Sequence, residues 1–198
     1  MSLPIVIYDE SKLSPALGYL FDIRLVRPFE SLLGIVWKFG KLNAIAGHEL
    51  AGHMARYPID PYEGIAGRKE WVDTKRLRRA LGLSSAVLRA SMIHTFKASP
   101  QFRFCGRCLW RNYHCVLHQV TALTHCPLHP SSLLQTRCPH CEEEMAYHFS
   151  ARVLDTPFCC AHCRKPYATA KLRRGMGRPF ALKTIQVMTK LRHRHRAW

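Results

Sequence analysis

Acidic residues are scarce in this chain. Its 198 residues include 13 Asp+Glu against 30 Lys+Arg, a formal net charge of +17. Such an excess favours a polyanionic partner and disfavours an enzyme site built on acidic catalysts. Long apolar runs are missing too, so no segment of the sequence reads as a membrane span. Met1 to Glu10 contains Asp9 and Glu10 and has no basic stretch, which does not read as a secretory signal. There is no G-x-x-x-x-G-K-[ST] loop, so ATP hydrolysis is not expected, and no serine or cysteine triad finds support. Residues 1–104 contain no cysteine at all.

All nine cysteines lie between Cys105 and Cys163, together with seven of the twelve histidines. This segregation predicts a helical domain over 1–98, a tandem zinc-ribbon domain over 99–170 and a basic helix or tail over 171–198. Residues from Lys171 onward carry nine Lys/Arg and no acid. The expected fold class is a mainly α N-terminal domain with a helix-turn-helix, followed by a small α+β zinc-ribbon domain with two structural zinc sites. In the first part, Phe29, Leu32, Leu33 and Val36 recur at helical spacing, and Pro28 with Glu30 suits a first turn, which predicts a helix over 28–42. A short strand over 19–26 and a second helix over 44–55 are expected around it. A loop holding Pro58, Pro61 and Gly64 follows. Asp73 and Ser84 can cap two short amphipathic helices joined at Gly82, a helix-turn-helix pattern over about 73–95 that an ordinary helical hairpin would share.

The cysteine half pairs its ligand-type residues at one spacing: Cys105-x-x-Cys108, Cys126-x-x-His129, Cys138-x-x-Cys141 and Cys160-x-x-Cys163. Two such pairs supply the four tetrahedral donors of a zinc ion. The set therefore predicts one Cys₃His site and one Cys₄ site, for two structural Zn²⁺. With four protein ligands each, neither site leaves a position open for catalytic water. An odd cysteine count and no export signal argue against disulfides. Cys115-x-x-His118 is a further pair with ligand spacing, and Cys159 adjoins Cys160, so either can replace an assigned ligand. The same residues also allow an interleaved cross-brace. If zinc folds this half, chelation unfolds 105–165 and spares the N-terminal helices.

His48-Glu49-Leu50-Ala51-Gly52-His53 invites comparison with the H-E-x-x-H protease motif. Its second histidine comes one residue late, which turns the two rings about 140° apart on a helix. Two unrelated histidines on a short helix is the better reading.

The order of motifs resembles the TniQ family, which includes the TnsD target selectors. The resemblance is carried by Arg27-Pro28-Phe29-Glu30-Ser31-Leu32-Leu33, the segment ending at Ile93-His94-Thr95, Phe104-Cys105-Gly106-Arg107-Cys108, Cys126-Pro127-Leu128-His129, Cys138-Pro139-His140-Cys141 and Cys160-Ala161-His162-Cys163. It covers about residues 20–170. Many members carry a Trp after the first cysteine pair, where this chain has Tyr113 to Val120. The resemblance implies a non-enzymatic adaptor for transposon target-site selection, cytoplasmic and nucleoid-associated in a bacterium. Its partners would be the AAA+ regulator TnsC, a CRISPR effector complex with its guide RNA, and target DNA, with a homodimer possible and no membrane involved. A zinc-containing helix-turn-helix protein that reads an attachment site or promoter directly is the alternative, and a metallohydrolase on His48, Glu49 and His53 a third class. Candidate nucleic-acid contacts are Lys75, Arg76, Arg79 and Arg89 in the helical part, then Arg107, Arg111, Arg164, Lys165, Lys171, Arg173 and Arg174. The run Arg192 to Arg196 reads either as a disordered polyanion-binding arm or as a solvated terminus.

Overall fold

A computed structural model describes residues 19–67, 70–92, 98–168 and 181–196. Its central element is helix α1 (Leu32–Asn43). Ser31 caps it, the hydroxyl accepting from the Gly34 N–H at 3.0 Å. Leu32, Leu33, Ile35, Val36, Trp37 and Phe39 are all buried, so α1 is enclosed nearly all round. The helix begins later than Pro28 and Glu30 predict. Phe29 takes a left-handed backbone (φ 58°), and Glu30 turns its carboxylate inward onto Lys38 at 2.6 Å. Burial raises the Glu30 carboxyl above its ordinary range and lowers the Lys38 ammonium, with each partner opposing the other's shift.

The expected strand over 19–26 is absent. Asp22 accepts from the Arg24 N–H and closes a 3₁₀ turn over Ile23–Leu25 instead. Helix α2 (Gly47–Met54) follows α1 and packs on the short helix α6 (Ala151–Leu154) from the cysteine half. Gly47 permits this approach: a Cβ there would lie 2.3 Å from the Ala151 carbonyl oxygen. Its N–H donates to the Asp155 carboxylate at 2.5 Å, which satisfies one free amide at the start of α2. Helices α3 (Thr74–Leu81) and α4 (Ser85–Ala90) begin where the caps predict. Asp73 accepts from Lys75 and Arg76, Ser84 accepts from Val87, and Gly82 (φ 62°) makes the left-handed turn between them.

Strands are short. β1 (Ile65–Ala66) pairs antiparallel with β4 (His148–Phe149). β2 (His125–Cys126) pairs with β3 (His129–Leu133) through an irregular register. The small helix α5 (Gly106–Leu109) starts at the first cysteine pair. One apolar core joins α1–α4 to Phe102, Phe104, Phe149, Val153, Phe158 and Tyr167, so it crosses the expected boundary at 98/99. Trp37 stands at the junction. Its ring meets Phe158 edge-on at 5.0 Å and Phe102 at 5.8 Å, while its indole N–H donates to the Val153 carbonyl at 2.7 Å.

The last element is α7 (Leu182–Arg196). Residues Arg192 to Arg196 are therefore helical, not a disordered arm. Met188 is wholly buried against Cys115, Val116 and Val120, with Leu191 beside it. Lys171, Arg173 and Arg174 lie outside the described residues, as do Ile93, His94 and Thr95.

The Gly47 contact yields a stability prediction. Gly47→Ala should destabilise the protein by about 1–3 kcal/mol, because the methyl group meets backbone that cannot give way cheaply. Denaturant midpoints of the parent and variant measure this.

Candidate metal centres

The expected ligands gather into two sets in sequential order, without a cross-brace. Cys105, Cys108, Cys126 and His129 form one, and Cys138, Cys141, Cys160 and Cys163 form the other, with all donor atoms of a set within 4.8 Å of one another. In the first, Nδ1 of His129 lies 3.5 Å from the Cys105 sulfur, 3.4 Å from Cys108 and 3.6 Å from Cys126. In the second, Cys138 and Cys163 are 3.7 Å apart, as are Cys141 and Cys160. A tetrahedron with metal–sulfur bonds of about 2.3 Å and metal–nitrogen bonds of about 2.0 Å has S···S edges of roughly 3.8 Å and S···N edges of roughly 3.5 Å. The observed separations match those edges. They are far longer than a disulfide of about 2.05 Å, and all nine cysteines are free thiols. The two clusters can each hold one metal ion.

Local backbone explains the second cluster. Cys138 and Cys160 open two turns of the same design. The His140 N–H donates to the Cys138 sulfur and the His162 N–H to the Cys160 sulfur, both at 3.4 Å. Each turn ends on a left-handed residue, Glu142 (φ 59°) and Arg164 (φ 60°). The Cys138 N–H donates to the Glu143 carbonyl, and that of Cys160 to the Lys165 carbonyl. Two equivalent knuckles thus face each other across the ion position. In the first cluster Cys105 precedes α5 and Cys108 lies within it, while Cys126 and His129 flank the turn between β2 and β3.

The electrostatics of the first set suit a cation. The Cys105 thiol is held well below the ordinary range because Cys108 and then Cys126 donate S–H to its thiolate. Donation to Cys105 pushes the other two up, Cys126 to about 12. A divalent ion would balance the charge of all three sulfurs as thiolates. In the second set the Lys165 backbone N–H already lowers the Cys163 thiol to about 7.

The alternative ligands are placed elsewhere. Cys115 is fully buried among Val116, Leu117, Val120 and Met188, and burial raises its thiol to about 11. His118 lies behind the first cluster, its Nε2 3.4 Å from the Cys126 sulfur. Burial lowers this ring well below the usual histidine range, and the ring stands as a hydrogen-bond partner directly behind the Cys126 sulfur. Cys159 is half-buried outside both sets. The His48 segment assembles nothing comparable. His48 and Glu49 are exposed, and His53 packs edge-on to Tyr19 at 5.8 Å.

Spacing gives no signal for His114. This wholly buried ring links the two parts of the chain. Its Nε2–H donates to the Arg103 carbonyl at 2.8 Å, and its Nδ1 pairs at 2.7 Å with the Ser31 hydroxyl that caps α1. Desolvation lowers its pKa to about 4. Arg103 is likewise structural, with its guanidinium donating to the carbonyls of Val120 and Leu123.

Of the candidate nucleic-acid contacts, Lys75, Arg79, Arg89, Arg107, Arg164 and Lys165 are exposed and Arg111 is half-buried. Arg76 is committed in part. It pairs with Asp73 at 3.7 Å and reaches the Gly52 and His53 carbonyls at the end of α2. No protein-family model matches this sequence, and no curated protein matches it.

Two outcomes are expected. Metal analysis should find two ions per chain in the parent and in Cys115→Ser, and one in Cys138→Ser. Because the core is shared, complete chelation should melt α1 and α2 together with the cysteine half, contrary to the independent survival expected from sequence; circular dichroism distinguishes the two. A pH effect follows from His114. Its folded pKa lies below the unfolded value of about 6.5, so between these values the unfolded chain binds the extra proton. Stability from this group is present above about 6.5 and lost as pH falls towards 4. NMR titration of the ring should give a midpoint near pH 4.

Proposed function

We propose that the chain is a TniQ-like, non-enzymatic adaptor for transposon target-site selection. It joins an RNA-guided CRISPR effector complex, with its guide RNA and target DNA, to the AAA+ regulator TnsC, and so recruits the transposase. The observation that carries this reading is the pair of four-donor clusters, set in the sequence order of the TniQ motifs and built onto the core that encloses α1. The ions are two structural Zn²⁺, since thiolate and imidazole donors in a closed tetrahedron suit zinc and leave no position for substrate. Rigid knuckles with exposed basic residues fit a protein that works by presenting surfaces. The setting is the bacterial cytoplasm at the nucleoid, and a homodimer is compatible with the role.

The alternative, a helix-turn-helix protein that reads a promoter or attachment site, rests on α3, Gly82 and α4. It is weakened by what the serines of α4 already do. Ser84 caps Val87, Ser85 accepts from Arg78 at 3.1 Å, and Ser91 is buried and donates to the Leu88 carbonyl. That leaves Arg89 as the long donor on the six-residue helix, too little for autonomous base reading.

The test is capture on immobilised zinc-loaded protein. A TnsC-type ATPase and an effector complex from the same locus should be retained, and Glu49→Gln should change nothing. Tight binding to one duplex sequence, with no retention of TnsC, would favour the regulator instead.

A further inference from the structure

The structure assigns the outer face of α7 and the basic α3–α4 hairpin to one composite surface for a nucleic-acid phosphate backbone. This inference deepens the proposed adaptor function and rests on it for the choice of partner.

Arg192 makes the connection. Its guanidinium bonds the Ala90 carbonyl and, at 3.1 Å, the Arg89 carbonyl, the last groups of α4. These carbonyls lie at the negative end of the helix, so a cation there caps α4 and fixes α7 against it. Met188 and Leu191 anchor the same face of α7 in the cluster around Cys115 and Cys126. With that face turned inward, the opposite one is defined. Lys183, Lys190 and Arg194 are all exposed. At about 100° per residue they fall within roughly 40° of one another, and they span about 17 Å along the helix. Arg194 lies two residues from the clamp on α4, which itself carries Arg89. On the hairpin, Lys75 and Arg79 are exposed at i, i+4 spacing.

The two segments that supply these cations carry no acid of their own. Residues 171–198 contain none, and neither does the stretch from Thr74 to Ala90. The neighbouring Asp73 is committed to capping α3. A stripe of this kind suits a polyphosphate backbone, duplex DNA or an RNA stem, which cations bind without reading bases. An anionic membrane is a poorer fit. A surface-bound amphipathic helix buries a continuous apolar face in lipid; the Met188–Leu191 face of α7 is occupied by the protein, and its outer side carries Leu182 and Val187 among the cations.

The experiment measures binding of the zinc-loaded full chain to a labelled 20-base-pair duplex and to an RNA stem-loop across a salt series. The variants are Lys183→Gln/Lys190→Gln/Arg194→Gln and Arg192→Lys, each checked for two bound metal ions and an unchanged circular dichroism spectrum. On the duplex, the triple variant should lower the slope of log K against log salt by about 2.7, near 0.9 for each phosphate that is no longer neutralised. Arg192→Lys keeps the charge but loses the fork that spans two carbonyls, and should weaken binding several-fold. Whichever probe shows the larger drop in affinity identifies the nucleic acid. Unchanged binding of both probes by the triple variant would overturn the composite surface, as would binding confined to phosphatidylserine vesicles. TnsC capture should survive the triple substitution. If the parent never captures TnsC yet binds nucleic acid with the stated charge dependence, the adaptor reading fails and the surface stands.

Discussion

Crowding of sulfur atoms is the constraint on which this structure depends. Three thiols and an imidazole in the first cluster, and four thiols in the second, are held at the edges of tetrahedra. Without a cation their negative charges exclude one another, and S–H groups must share the sulfurs that remain. With one, the mutual repulsion becomes four bonds to a common centre. The remainder of the cysteine half is arranged to make that exchange favourable. Its strands have two to five residues and its helices four, too short to hold their own geometry. Metal coordination, at about 10–16 kcal/mol for a structural zinc site, is large enough to set the fold of such segments.

The cysteine clusters do not stand apart from the helices. Phe102 and Phe104 stack at 5.5 Å just ahead of the first cysteine pair, and Tyr167 packs on Phe104 at 4.5 Å just after the last. This aromatic group reaches Trp37 on α1 and His114 beside the Ser31 cap. Displacing either cluster therefore moves the residues that hold α1. A buried His114 bonded on both ring nitrogens favours one arrangement of the two parts, because the ring nitrogens would be left unsatisfied if the parts separated. The geometry suits a rigid two-part body better than two beads on a linker.

Much of this was legible in the sequence, for identifiable reasons. The ligand pairs were readable because a two-residue gap is set by the local turn, which needs no knowledge of the fold. The caps Asp73 and Ser84 and the turn at Gly82 were readable for the same reason. Elements decided by tertiary contact were not. Pro28 and Glu30 carry the signature of a helix start, yet Glu30 is drawn to Lys38 and the cap passes to Ser31. The alternation over 19–26 suggests a strand, but no strand among the described residues pairs with it, and Asp22 closes a local turn. Cys115 and His118 have ligand spacing and are excluded by packing alone, since one is buried among aliphatic side chains and the other turns its ring to support Cys126.

The same distinction sorts the positive charge. From sequence, thirty basic residues form one undivided excess. In the fold, several are absorbed by structure: Lys38 faces Glu30, Arg103 binds two carbonyls, Arg76 closes α2 and Arg192 closes α4. Those that remain exposed are not scattered at random, because a helix that buries one stripe must present the other. The burial of Met188 thus fixes which cations of α7 face solvent, much as the sulfur clusters fix the knuckles that carry Arg164 and Lys165. The exposed cationic surfaces of this chain are by-products of its packing, and charge alone could not have located them.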